Sequence, residues 1–310
     1  MSRILPLIAL TSAAPAAAQQ ARAPFTIVET GQGFQTIDEA VQSVRMGTAT
    51  ILIAPGVYHQ CTVQAGGHIT FKAVTPGTAI FEGTTCEGKA AFVLRGQGST
   101  VDGIVFRKMR VADGNGAGIR TEMGDLVVRN AMFLDSQEGI LGGEPVAQKI
   151  SIDHSTFAGL GQCDESPSCS HSIYLANRGS VVVTNSRFER GTGGHYVKLR
   201  VPKVTIADNS FDDTQGRKTN YMIDLPEGAT GLITRNTFVQ GPNKENHSGM
   251  IVVSAEAKTY PSAGLRVEGN DASLAPKATT NPAFVANMSG EQLAVGANRL
   301  GAGIRLYEVR

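Results

Sequence analysis

The sequence predicts an all-β chain, a single-domain right-handed parallel β-helix solenoid with a short capping helix at its N-terminal end. Three observations carry that prediction. A strand, a polar turn residue and a phenylalanine recur together at nearly constant spacing from residue 100 onward. A second strand follows each of these phrases. Glycine is abundant, 36 of 310 residues, but has no three-residue period, so it suits many short turns and not collagen.

The first residues read as an address. Arg3 gives a positive start, Ile4 to Leu10 an apolar run, and Ala16-Ala17-Ala18 a small-residue cleavage region, so residues 1–18 are expected to be a signal peptide. The apolar run is too short for a good membrane span, and no later segment is long and apolar enough to provide one. Residues 19–33 form a lead, and residues 34–310 the β-helix domain. Phe34 to Val44 predicts an amphipathic helix. Thr36 and Glu39 fit a capping box, while Ile37, Ala40, Val41 and Val44 share one face that can cover the open end of a solenoid. Thr50 to Tyr58 then reads as a strand ending at the Pro55-Gly56 turn.

The repeated phrases end on Phe106, Phe133, Phe157, Phe188, Phe211 and Phe238, with gaps of 27, 24, 31, 23 and 27 residues. A period near 25 marks a solenoid, in which one coil buries little alone but stacked coils share a continuous core. The longest gap holds Cys163 and Cys169, and an inserted loop accounts for it. Asn130, Asn185, Asn209 and Asn236 suit turns, because asparagine tolerates left-handed backbone and bonds its neighbours. Leucine-rich repeats compete structurally, but the leucine framework is missing. Residues 271–310 hold a further coil and a terminal strand, Gly303 to Tyr307.

Four cysteines follow the signal region. An oxidising compartment, periplasmic or secreted, allows pairing, and sequence leaves three complete pairings open. Cys61–Cys86 would bridge adjacent coils and Cys163–Cys169 would close a small loop. Neither pair forms a close CxxC unit suited to a metal. The formal charge of +1 gives no basic stripe for nucleic acid, yet permits a local basic cleft for an acidic substrate.

Strand alternation locates that cleft. If Ile173 and Leu175 point inward, Tyr174 points outward; the same logic exposes Lys198, Arg200 and Asp224. Coils stack about 4.8 Å apart, so Tyr174, Lys198 and Asp224 should form one column with Arg200 beside it. His171 and His195 occupy matched positions at the strand entrances, and Asn246 lies on the following coil. Glu138, Tyr221, Asp224, Arg200 and Asn246 are the expected sugar-binding residues. His195, Lys198, Tyr174 and His171 are the expected catalytic ones. A cation there could hold a uronate carboxylate and stabilise charge as the neighbouring proton leaves. Neutral His195, neutral Lys198 or ionised Tyr174 could be the base. Stacked polar residues could equally form ladders that only hold the solenoid together.

Phe34 to Val44 followed by Ile51 to Tyr58 resembles the entry to pectin-lyase-like right-handed β-helices. Residues 130–260 look like bacterial β-helix repeat proteins associated with extracellular polysaccharides. The character is that of bacterial periplasmic polysaccharide lyases. The coil His195-Tyr196-Val197-Lys198-Leu199-Arg200 resembles the lysine-bearing coil of chondroitinase B-like and alginate-lyase-like enzymes, which implies Lys198 as Brønsted base. Those enzymes carry an arginine on the next coil, where this chain offers Tyr221, Met222 and Asp224, and Arg200 would have to compensate. The resemblance also makes calcium the possible metal, with Glu138 and Asp224 as oxygen ligands. No contiguous calcium loop is visible, so no cofactor is expected to be required.

The resulting expectation is a monomeric, endo-acting lyase that cleaves an acidic, uronate-containing polysaccharide by β-elimination. A glycoside hydrolase using Glu138 and Asp224 is the enzymatic alternative, although their separation over several coils, more than about 12 Å, is unfavourable. Gln137-Glu138 also resembles the glutamine-aspartate region of pectin esterases, without a second catalytic aspartate. The remaining alternative is a noncatalytic polysaccharide-binding or adhesion β-helix.

Overall fold

A computed structural model describes residues 23–143 and 146–310; the signal region and most of the lead lie outside the described residues. Thr36 caps a helix over Ile37–Val44, accepting from the Glu39 amide, while the Glu39 carboxylate accepts from the Thr36 amide. Ile37, Ala40 and Val41 are buried. The helix packs on the first coils, and its Gln42 side chain donates to the Val63 carbonyl. It therefore covers apolar edges that no preceding coil would shield.

Beyond the helix each coil gives one strand to each of three sheets, which contain twelve, ten and ten strands among the described residues. Pairing along the coils is parallel. The exception is the lead strand Phe25–Ile27, which runs antiparallel to Thr48–Ile53 and to Gly33–Phe34. The single strand expected from Thr50 to Tyr58 is two, Thr48–Ile53 in the first sheet and Gly56–Tyr58 in the second. Pro55 cannot supply a ladder amide, so the chain turns the corner there. The terminal strand spans Arg305–Val309 and joins the third sheet.

The repeated phenylalanines occupy one core position in successive coils. The centroids of Phe133, Phe157, Phe188, Phe211 and Phe238 follow one another at 4.8 to 4.9 Å with rings 3° to 8° from parallel. The coil rise itself, about 4.8 Å, imposes this stacking. At the corner before each phenylalanine the turn asparagines divide into two kinds. Asn130 and Asn185 adopt left-handed backbone, φ 53° and 48°. Asn209 and Asn236 do not; Asp208 and Arg235 before them take that conformation instead. Asn209, Asn236, Asn270 and Asn298 form an internal ladder, each carboxamide oxygen accepting from the amide of the residue one coil earlier. A side-chain ladder of this kind satisfies buried amides that the bent backbone cannot pair.

Both expected disulfides are present, Cys61–Cys86 between neighbouring coils and Cys163–Cys169 within the inserted loop. No helix of the described residues is long and apolar enough to cross a membrane.

Candidate functional site

The third sheet builds the polar strip. Ile173–Ala176, Val197–Arg200, Ile223–Leu225 and Gly249–Val253 are consecutive parallel strands, and their register places Tyr174, Lys198, Asp224 and Val252 in line. Leu141 precedes Tyr174 in the same line, so the polar column is bounded by apolar residues at both ends. Ile173, Leu175, Val197, Leu199, Ile223 and Leu225 alternate inward and are fully buried. Arg200 stands two residues along from Lys198, and its Nε donates to the Tyr174 hydroxyl at 3.0 Å.

At the strand entrances the rings of His171, His195 and Tyr221 stack in turn, with centroids 4.9 and 5.3 Å apart. The His195 amide donates to Nδ1 of His171 at 3.0 Å, and the Tyr221 amide donates to Nδ1 of His195 at 3.2 Å. Each imidazole therefore accepts at Nδ1 and carries its proton on Nε2. That proton of His195 faces Asp224, Nε2 to Oδ2 at 3.4 Å. Asn246 donates to the Tyr221 hydroxyl at 2.8 Å and extends the strip by one coil.

Electrostatics follow from this enclosure. Burial, reinforced by Lys198, lowers the pKa of His171 to about 3. Burial, with His171 and Lys198 adding repulsion, takes His195 well below 6.5. Both rings are neutral near pH 7. A neutral His195 with Nδ1 occupied and Nε2 protonated is a donor, so the structure gives it no free lone pair for the base role expected from sequence. Burial raises Asp224 to about 6 against the pull of Lys198, whose ammonium lies 3.5 Å from Oδ2. Among the described residues Asp224 Oδ1 has no hydrogen-bond partner. A buried, unpaired carboxylate oxygen beside two donors is the feature that ladders made only for stability avoid.

Two acidic residues that sequence reasoning missed complete the strip. Glu256, exposed on the loop after Gly249–Val253, bridges the two cations: it accepts from Lys198 Nζ at 2.7 Å and pairs with Arg200. Glu227 accepts from Arg200 at 2.8 Å. Burial opposes ionisation of Glu256, but the bonds from Lys198 and Arg200 outweigh it and hold its pKa below 4.5. The expected excess of positive charge is therefore absent from the strip, with Lys198 and Arg200 balanced by Asp224, Glu227 and Glu256. Neither Glu227 nor Glu256 sits in a repeated phrase, and only the hydrophobic run of their coils could have hinted at their position.

Glu138 does not line the strip. It is 1% exposed beneath His171, whose amide approaches its Oε1 at 3.4 Å, and burial raises its pKa well above 4.5. The reason is local: Glu138 opens its strand just where the inserted loop folds over the coil. Gln137 is likewise structural, since its side-chain oxygen accepts from the Val111 and Gly116 amides. The expected calcium ligands Glu138 and Asp224 are not brought together. Among the described residues the metal-type grouping found is Cys163, Cys169 and Glu245, and its two sulfurs are bonded to each other. That set does not indicate calcium, which takes oxygen ligands.

Residues 90–272 match the family model described as right handed beta helix region. Among solved structures, the chain is similar to the Streptococcus pneumoniae surface protein and adhesin PfbA, at 10% identity and a TM-score of 0.45 over 87% of this chain and 93% of that one. No curated protein matches the chain.

Proposed function

The chain belongs to the right-handed β-helix family, and from that premise we propose that its third-sheet strip is a groove that binds a uronate-bearing polysaccharide and cleaves it by β-elimination. The observation that carries this reading is the position of Glu256. Its solvent-facing carboxylate sits in a fork formed by Lys198 and Arg200, which is the contact a uronate carboxylate would need. Exchange of one carboxylate for another leaves the charge of the fork unchanged, so the cost of opening it is small. Rings stacked at the strand entrances offer sugar faces a flat surface.

In this reading Arg200 and Lys198 hold the uronate carboxylate and stabilise the charge that develops on it. Tyr174, in its ionised form, takes the C5 proton. The electron pair forms the C4–C5 double bond as the C4–O bond breaks. The Lys198 ammonium protonates the departing oxygen, and solvent restores both groups. Asp224 orients Lys198 and donates or accepts with His195. The two disulfides support an oxidising compartment, periplasmic or extracellular.

Capture without cleavage is the second reading. It is favoured by the complete pairing of Lys198 and Arg200 with carboxylates, which also suits a binding surface. Incubation with polygalacturonate, alginate and sulfated uronate polymers separates the two. Elimination gives unsaturated products absorbing at about 235 nm, lost in Tyr174→Phe. Binding with chains of unchanged mass supports the second reading, and products that have gained water would overturn the elimination.

A further inference from the structure

Beside the column, at the exits of the same strands, lies a separate cavity of about 250 Å³. Its walls include Asn177, Arg178, Arg200, Glu227 and Tyr260, drawn from several coils. Arg200 is shared: one side meets Tyr174 in the column and the other faces this cavity. Asn177 is 3% exposed, and its side-chain oxygen accepts from the Gly179 amide at 2.7 Å. That bond fixes which end of the carboxamide is nitrogen. Among the described residues its Nδ2 has no partner. A buried donor left unpaired costs about 1–3 kcal/mol unless something fills the place. Arg178, the next residue, is exposed and supplies a guanidinium at the rim.

We infer that this cavity is a second sugar subsite, in which Asn177 Nδ2 donates to a sugar oxygen, Arg178 pairs with an anionic substituent and the Tyr260 ring bounds one side. The glycan identity rests on the groove reading above, but the donor, the cation and the cavity do not depend on what happens at the column. The substituent is a carboxylate or a sulfate, since both offer planar or tripodal oxygens to a guanidinium.

The test titrates galacturonate, glucose 6-sulfate and glucose separately into ¹⁵N-labelled protein, following the Asn177 carboxamide and the His195 ring. The Asn177 signal should shift with galacturonate or with the sulfate, and whichever acts names the substituent. Arg178→Ala should weaken that response about tenfold, the loss expected for one charge-assisted bond. Asn177→Asp keeps the acceptor for Gly179 and replaces the donor, and should weaken it similarly. An Asn177 signal unmoved by all three sugars overturns the subsite, as does a response unchanged in both variants. An equal response to glucose overturns the anionic assignment. Shifts at Asn177 with a silent His195 would instead count against the groove reading while leaving the subsite standing.

Discussion

His195 and Asp224 face each other across one coil step, Nε2 to Oδ2 at 3.4 Å, with the imidazole neutral and the carboxylate raised to about 6. A neutral donor beside a partly protonated acid sets the chemistry of the strip, because the enclosure that suppresses charge on one acts equally on the other. Ion pairing alone would have lowered the aspartate and raised the histidine. Burial dominates both.

The pH dependence of stability follows from the sign of the Asp224 shift. The folded state holds this proton more tightly than the unfolded chain, about 6 against 3.8. Its contribution is therefore full below pH 3.8 and is lost as the pH rises through about 6. Two units correspond to roughly 3 kcal/mol. Urea unfolding of wild type and Asp224→Asn across pH 4 to 7 should show the variant gaining on wild type by about that amount, whatever constant offset the lost Lys198 contact adds. Parallel curves would contradict the assignment.

The histidines act in the opposite direction. His171 falls to about 3 from 6.5, so its contribution is full above pH 6.5 and is lost as the pH drops toward 3. Imidazole ¹⁵N shifts should report Nδ1 as the unprotonated nitrogen in both His171 and His195, with no titration between pH 7 and 5. A midpoint near 6.5 in either ring would contradict the enclosed geometry and return that ring to the list of candidate bases.

The repeated phrases made the coils legible because every phenylalanine fills the same core slot and every coil must meet the same rise. Alternation then placed Tyr174, Lys198 and Asp224 in register, which the pairing reproduces. What alternation does not carry is where loops return. Glu256 lies 58 residues from Lys198 in a segment without period, so its place over the fork is a property of the folded loop. Glu138 failed for the converse reason. Its strand position suggested an outward side chain, but the inserted loop covers it. Asn209 and Asn236 were legible as turn residues but not as ladder members, since composition cannot distinguish a left-handed asparagine from one turned inward.

That distinction has a measurable consequence. Asn236 accepts from the amide and the side chain of Asn209, and donates to the Ile206 carbonyl and to Asn270. Asn236→Ala strands the buried Asn209 amide and should cost about 2–3 kcal/mol in chemical denaturation. Asn130 is exposed, with left-handed backbone and one bond to Asp102. Asn130→Gly relieves its backbone and should cost less than about 1 kcal/mol. Equal losses would mean that the ladder is not the stabilising element at this corner.

Glu256→Gln probes the fork directly. The residue is 45% exposed at its side chain, so its ion pairs contribute little to stability after solvent screening, less than about 1 kcal/mol. The same change removes the carboxylate that occupies the fork and leaves Lys198 and Arg200 with one acid fewer. If an acidic glycan binds there, the variant should bind it about tenfold more tightly, and the gain should shrink with added salt. Calorimetry with oligogalacturonates and alginate oligomers at two ionic strengths measures both. Weaker binding in the variant would mean that Glu256 contacts the glycan itself, and the fork would then be a structural bridge with the carboxylate as its essential member.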